Sequence, residues 1–237
     1  MPSRGRIPIA VPWTVRKRLY NWHPGRDRRW QALPGLERLP GNRAVLTFDD
    51  GPGQDATPQV LDVLEQLGIT ASFFVLGAEV AREPELARAI LAGGHELGLH
   101  GNAHPRYDLL SAEQAREDLE RGLEAIESAT GVRPSRFRPP YGKLSDVSHQ
   151  AVRALGLEVV YWSAWGLDWE QIDARAIAAE TRSKLGPGAI VLLHDTARYG
   201  RRSSARPTAD ALRAIAAAGE QMGLTWTTLS EAANASV

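Results

Sequence analysis

The sequence predicts an α/β fold in which parallel strands alternate with helices and close, or nearly close, into a barrel. Its 237 residues suit one domain of the larger α/β type. Short apolar runs rich in β-branched and aromatic residues alternate about seven times with amphipathic helical periods. Polar and titratable residues follow the ends of these runs, which is where such folds place their active sites. These three observations agree on the same architecture.

Each predicted strand is a short apolar run bounded by turn or helix signals. The seven predicted strands are Ala44–Phe48, Ser72–Leu76, Glu96–His100, Arg136–Arg138, Val159–Ser163, Ala189–His194 and Thr225–Leu229. The clearest helix between them is Ala112–Ala129. Ser111 and Gln114 form a capping box at its start, and Gly131 ends it.

Charge divides the chain into two parts. Residues 1–43 hold ten Lys or Arg against two Asp or Glu, whereas residues 44–237 hold eighteen against twenty-six. We therefore predict a basic N-terminal extension, 1–43, that packs onto a domain formed by residues 44–237. Such an extension can contact an anionic surface, or it can be a solvated tail. No nucleic-acid module accompanies it, so we expect no nucleic-acid partner.

The chain has no cysteine, which excludes thiolate metal sites and cysteine nucleophiles. A metal would therefore need nitrogen and oxygen ligands. The apolar run Ile7–Trp13 is too short and too rich in proline for a signal peptide, and no later run is long enough to span a membrane. We therefore expect a cytoplasmic protein.

Carboxylates and imidazoles at two strand ends suggest a metal site. Asp49 and Asp50 follow the first strand in TFDDGP, and His100 and His104 follow the third in H-x₃-H-P. Each motif alone has an ordinary explanation, since Asp before Gly-Pro often shapes a turn and paired histidines are common on surfaces and in cores. Together they form a His₂-carboxylate set that leaves positions open for water and substrate.

Three further strand ends carry polar groups. Arg138 lies in RPPYG and can pair with one carboxylate of the aspartate pair. Asp168 lies between Trp165 and Trp169, which can wall a sugar-sized cleft, although tryptophans are by default core residues. His194 directly follows a buried strand and is a candidate general acid or base.

The ordered series TFDDGP, H-x₃-H-P, R-P-P-Y-G, the Asp-Trp element and L-L-H-D resembles the polysaccharide deacetylase family, which has the NodB homology domain and forms carbohydrate esterase family 4. The resemblance covers roughly residues 43–237. It implies a distorted (β/α) barrel and a metal-dependent hydrolase that removes acetyl groups from N-acetylated sugars of chitooligosaccharide or peptidoglycan type. The implied cofactor is a divalent metal, with zinc expected and cobalt as the alternative.

The resemblance also implies roles for individual residues. The implied metal ligands are Asp50, His100 and His104. The implied catalytic residues are the base Asp49, its orienting partner Arg138, the general acid His194 and its partner Asp168. We expect Tyr141, through a nearby backbone N–H, and Trp165 to contact the substrate. The chain departs from the family pattern at Gly101, where serine or threonine usually follows the first metal histidine and can hydrogen-bond near it.

Alternatives to glycan deacetylation follow from the same residues. A second hypothesis keeps the metal and the amide cleavage but takes a non-glycan amide, formamide or cyclic imide as substrate. A third is a carbohydrate-binding domain without catalysis. The loop after His194 carries four arginines that either border the cleft and favour an anionic substrate or are solvated: Arg198, Arg201, Arg202 and Arg206.

Overall fold

The structure is a computed structural model, and it describes residues 33–234. Its strands are β1 (Arg43–Asp49), β2 (Ser72–Val75), β3 (Glu96–Leu99), β4 (Arg136–Phe137), β5 (Glu158–Val159), β6 (Ala164–Trp165), β7 (Ile190–His194) and β8 (Thr225–Trp226). Its α-helices are α1 (Thr57–Leu67), α2 (Gly77–Arg82), α3 (Pro84–Ala92), α4 (Ala112–Thr130), α5 (Asp146–Ala154), α6 (Ala174–Arg182), α7 (Arg206–Gln221) and α8 (Leu229–Asn234). Residues 1–32, which hold most of the predicted basic extension, lie outside the described residues.

The strands form one parallel sheet in the order β5-β4-β3-β2-β1-β7-β6, and β8 pairs with the beginning of β1. The sheet curls into a partly closed barrel with helices around it, which confirms the predicted distorted (β/α) barrel. In parallel pairing, all carboxyl ends lie at the same edge of the sheet. The residues that follow the strands therefore meet at one end of the barrel.

Alternation along β1 and β7 separates core side chains from site side chains. Leu46, Phe48, Val191 and Leu193 belong to the large apolar cluster that the helices cover. Successive strand residues point to opposite faces, so Val45, Thr47 and Asp49 share the inner face with Ile190, Leu192 and His194. Val45 and Ile190 fill the barrel interior together with Leu39, Phe74, Val160, Leu229 and Ala232. The polar residues lie above this apolar floor.

Residues 36–39, which we call the N-terminal strap, run from β5, at one edge of the sheet, to the residues just before β7. The N–H of Leu36 donates to the carbonyl of Val159, and the N–H of Tyr161 donates to the carbonyl of Leu36, both at 2.8 Å. At the other end, the N–H of Leu39 donates to the carbonyl of Gly188 at 2.8 Å. The strap thus links the strand region of β5 with the start of β7.

Predicted and observed elements agree closely for the long helix and less well for the last strands. The capping box of Ser111 and Gln114 is confirmed, as is the left-handed Gly131 that ends α4. The predicted strand Val159–Ser163 was too long, because the strap takes over the pairing at Tyr161, and β6 follows separately. The strand predicted over Thr225–Leu229 ends at Trp226, because residues Thr228 and Glu231 cap α8 reciprocally.

Within residues 33–234, the helices are all too short or too polar to cross a lipid bilayer.

Candidate active site

Asp50, His100 and His104 converge at the carboxyl ends of β1 and β3. Oδ1 of Asp50 lies 3.3 Å from Nε2 of His100 and 3.1 Å from Nε2 of His104. All three side chains are buried, and the ligand atoms lie within 4.8 Å of one another. Oδ1 of Asp50 is buried without a hydrogen bond, as expected of an oxygen that coordinates an ion. Two imidazoles and a carboxylate therefore fit a divalent metal ion.

Protonation and orientation of these three residues also fit metal binding. Burial alone would raise the pKa of Asp50, but the imidazoles of His100 and His104 hold it well below its ordinary value. Nδ1 of His100 lies 2.7 Å from the carbonyl oxygen of Arg138. With a metal bound, a proton on Nδ1 of His100 would satisfy that carbonyl, and the lone pair of Nε2 would face the metal in place of a proton shared with Asp50.

Backbone strain is concentrated at this end of the barrel. Among the described residues, four that are not glycine have a positive φ angle: Asp50 (78°), His104 (61°), Tyr141 (61°) and Leu167 (54°). Three of the four are predicted site residues, and Leu167 directly precedes Asp168. Such conformations cost about 1–3 kcal/mol each and usually persist where function requires a particular side-chain direction.

Asp49 is held by Arg138 through a fully buried ion pair. Nη1 of Arg138 donates to Oδ1 of Asp49 at 2.7 Å and to Oγ1 of Thr47 at 2.6 Å, and Nη2 donates to the carbonyl of Tyr161 at 2.9 Å. The guanidinium lies over the ring of Phe74, 4.1 Å from its centroid. The hydrogen bond from Arg138 goes to Oδ1, and Oδ2 of Asp49 lies 4.0 Å from Nε2 of His100. One carboxylate oxygen is therefore fixed while the other faces the metal-ligand set.

His194 is paired with Asp168 in the same manner. Nδ1 of His194 lies 2.9 Å from Oδ1 of Asp168, and the backbone N–H of His194 donates to Oδ2 at 2.8 Å. Thr208 also donates to Oδ2 at 2.8 Å. Nε2 of His194 lies 4.0 Å from Oδ2 of Asp50, so this nitrogen faces the site. Burial alone would lower the pKa of His194, but the carboxylate of Asp168, with smaller contributions from Asp50 and Asp49, raises it to about 9.

Aromatic side chains surround the ligand set. The ring of Tyr199 stacks on His104 at 4.3 Å between centroids, and the ring of Tyr141 meets His104 edge-on at 4.7 Å. The indole of Trp169 packs edge-on against His194 at 5.8 Å. Trp165, in contrast, lies on β6, and the ammonium of Lys184 sits 4.7 Å above its ring. Of the two tryptophans that flank Asp168, the structure therefore brings Trp169 to His194 and not Trp165.

Tyr141 presents a backbone N–H as well as a ring. The turn after β4 is closed by hydrogen bonds from Gly142 to Pro139 and from Lys143 to Pro140. The N–H of Tyr141 takes no part in these two bonds, and the residue as a whole is 41% exposed. The hydrogen bonds that close the turn therefore do not use the backbone N–H of Tyr141.

Two arginines of the loop after His194 have structural partners. Arg202 is buried and donates to Thr208 Oγ1 at 2.5 Å and to the carbonyls of His194 and Thr196 at 3.0 and 3.1 Å. Arg198 pairs with the buried carboxylate of Glu79 at 3.2 Å. Arg202 therefore neither borders the cleft as a cation for an anionic substrate nor lies in solvent. Its hydrogen bonds hold the loop from the inside.

Two groups near the site were not foreseen from the sequence. Asp195 is fully buried and accepts a hydrogen bond from Thr57 Oγ1 at 2.6 Å, and burial is the main reason that its pKa is raised to about 7. Tyr199 covers His104 from a loop without a repeating pattern. The LLHD motif did draw attention to position 195, but nothing in it indicates a partner on α1. No sequence signal marked Tyr199.

Fold and site together define a class of protein: a parallel α/β barrel with a buried Asp-His-His set at the carboxyl ends of its strands. The chain belongs to the polysaccharide deacetylase family, since the family model with that description matches residues 37–160. This agrees with the resemblance noted in the sequence.

Individual relatives support the family assignment. A peptidoglycan-N-acetylglucosamine deacetylase of Listeria monocytogenes is 37% identical over 201 residues, covering 80% of this chain and 42% of the relative. A chitooligosaccharide deacetylase of Bradyrhizobium is 41% identical over 158 residues, covering 65% of this chain and 72% of the relative. A family 4 carbohydrate esterase of Streptomyces lividans, solved with acetate, is 32% identical with a TM-score of 0.70, covering 79% of this chain and 92% of that structure. The chain thus spans less than half the length of the Listeria protein.

Proposed function

We propose that this protein is a metal-dependent hydrolase that removes acetyl groups from N-acetylated sugars of a polysaccharide or oligosaccharide. The observation that carries this proposal is the buried Asp50-His100-His104 set, which lies between two paired catalytic candidates, Asp49 and His194. The printed activities of its relatives, on peptidoglycan and on chitooligosaccharides, supply the substrate class. A carbohydrate-binding domain without catalysis would have no need of this arrangement of base, acid and ligands.

Asp50, His100 and His104 would hold the metal, and zinc is the ion that we propose, with cobalt as a substitute. When bound, a divalent ion supplies Lewis-acid polarisation of the acetamide carbonyl and makes water more acidic at neutral pH. Oδ2 of Asp49 accepts the proton of the attacking water, because Oδ1 is already occupied by Arg138. The N–H of Tyr141 donates to the carbonyl oxygen as its negative charge develops.

His194 completes the reaction by protonating the departing nitrogen. Its Nδ1–H remains bonded to Asp168, and its raised pKa keeps Nε2 protonated at neutral pH. Water adds to the carbonyl carbon, the C–N bond breaks, and the proton from Nε2 passes to the amine. The products are acetate and a free amino sugar. We propose Trp169, Tyr141 and Tyr199 as the aromatic walls that contact the sugar, with Trp169 in the place predicted for Trp165.

The test is acetate release from N-acetylglucosamine oligomers and peptidoglycan fragments by metal-stripped protein before and after zinc is restored. We expect activity only with metal, and a loss of about 10²–10⁴-fold in Asp49→Asn. The control Asp210→Asn removes an exposed carboxylate of α7 and should behave as wild type. Release from simple amides, formamides or cyclic imides but not from the glycans would replace the glycan substrate with the non-glycan alternative.

Three expectations stay predictions: a cytoplasmic location, the absence of a nucleic-acid partner, and contact of the basic residues 1–43 with an anionic surface.

A further inference from the structure

Gly101, in the loop between the two metal-ligand histidines, has a conformation and surroundings that disfavour a side chain. Its φ angle is +93°. A Cβ atom there would lie 2.8 Å from Oδ2 of Asp118 and 2.8 Å from the hydroxyl oxygen of Tyr107. Both distances are shorter than real Cβ contacts, so a serine or threonine would displace one of these two polar groups.

Asp118 and Tyr107 form hydrogen bonds at that place instead. Oδ2 of Asp118, on α4, accepts the backbone N–H of Asn102 at 2.8 Å and the hydroxyl of Tyr107 at 2.7 Å. Tyr107 is fully buried, and its ring packs on Phe137 at 5.0 Å between centroids. Burial, reinforced by the charge of Asp118, raises the pKa of Tyr107 well above its ordinary value, so the hydroxyl keeps its proton and remains a donor.

The same two loop residues are also held from the opposite side. The N–H groups of Gly77 and Ala78, at the start of α2, donate to the carbonyls of Gly101 and Asn102 at 3.0 and 3.1 Å. Helix α4 also approaches this region closely, as its Gly122 shows. A Cβ on Gly122 would lie 3.0 Å from the carbonyl of Gly101. The chain between His100 and His104 is therefore clamped between α2 and the Asp118 carboxylate.

We propose that Asp118, supported by Tyr107, is a positioning residue that fixes the His100–His104 loop for metal binding and replaces a hydroxyl side chain at position 101. This inference rests on the proposed metal binding. Asp118 contacts neither the metal ligands nor the reacting atoms, and it acts through the backbone N–H of Asn102. Hydrogen bonds that orient metal ligands from outside typically change metal affinity about 10–100-fold when removed.

The experiment measures zinc affinity of the full chain by competition with a chelator of known affinity. We expect Asp118→Ala to bind zinc about 10–100-fold more weakly. Asp118→Asn keeps an oxygen acceptor and should recover most of that loss. The control Glu117→Ala removes the same charge from the neighbouring exposed position of α4 and should leave zinc affinity unchanged. Tyr107→Phe keeps the packing on Phe137, removes only the hydroxyl, and should fall between wild type and Asp118→Ala.

A purely structural role gives a different pattern. If Asp118→Ala lowers the melting temperature but leaves zinc affinity and the visible spectrum of the cobalt-loaded protein unchanged, the positioning role is overturned and the proposed deacetylase function stands. If wild-type protein binds neither zinc nor cobalt, both proposals fall. Weaker zinc binding with an altered cobalt spectrum in Asp118→Ala, restored in Asp118→Asn, supports the positioning role.

Discussion

Replacing Arg138 with methionine tests the ion pair that holds Asp49. The guanidinium is fully buried and donates three hydrogen bonds, to Thr47, Asp49 and Tyr161. Methionine keeps much of the apolar volume over Phe74 but leaves the Asp49 carboxylate buried without its cation. Removing one partner of a buried pair costs about 3–5 kcal/mol. We therefore expect Arg138→Met to lower the free energy of unfolding by about 4 kcal/mol.

Urea unfolding of metal-free protein measures this loss without a contribution from metal binding. A double-mutant cycle with Asp49→Asn isolates the pair, since the double variant has neither the cation nor the stranded carboxylate. We expect the two losses to be non-additive by about 1–3 kcal/mol. Arg116→Met, which breaks an exposed pair with Glu120, is the control and should cost less than about 1 kcal/mol.

Either of two results would refute this reasoning. The first is an Arg138→Met variant within about 1 kcal/mol of wild type, which would mean that solvent or another group compensates Asp49. The second is simple additivity in the cycle, which would mean that Arg138 stabilises the barrel independently of Asp49.

Three further predictions concern pH, metal and a helix end. Against the opposing effect of burial, Asp168, with smaller contributions from Asp50 and Asp49, raises the pKa of His194 to about 9. In the proposed mechanism His194 acts in its protonated form, so Asp168→Asn should move the alkaline limb of kcat/KM to lower pH. An unmoved limb would contradict the pairing. Zinc at 100 times its Kd should stabilise the metal-free protein by about 2.7 kcal/mol in a thermal melt, and Asp50→Asn should reduce that gain. Gly131→Ala should cost about 1 kcal/mol because its φ is +72°, whereas Gly186→Ala, which has open space and no positive φ, should not destabilise the protein.

The architecture and the central cluster were predictable because both follow from local patterns. Apolar runs that alternate with helical periods specify parallel βαβ units, and parallel pairing puts all strand ends on one side. Asp49 and His194 are register partners on neighbouring strands, so their proximity follows once β1 and β7 pair. Proximity of Asp50, His100 and His104 likewise follows from β1, β2 and β3 lying in sequence order in the sheet.

Contacts made by loops and helices could not be predicted from the sequence, because they depend on tertiary packing. The bond between Asp195 and Thr57 joins residues 138 positions apart. Trp165 and Trp169 look equivalent in the sequence, but in the structure Trp165 packs under Lys184 and Trp169 packs against His194. The sequence suggested that Gly101 removes a hydrogen bond near His100. In the structure, Oδ2 of Asp118, from the next helix, lies where a side chain at position 101 would be and accepts the N–H of Asn102.

The N-terminal strap, residues 36–39, determines how an N-terminally truncated form of this protein would behave. The strand region of β5 and the start of β7 both offer backbone groups, and the strap satisfies them at Val159, Tyr161 and Gly188. A version that begins at Arg43 would keep every residue of the candidate site but would leave these backbone groups unpaired. Unpaired edges recruit strands from other molecules, so self-association would be its characteristic defect. The few residues ahead of the first strand thus cover backbone groups of the sheet that a shorter chain would leave open to pairing.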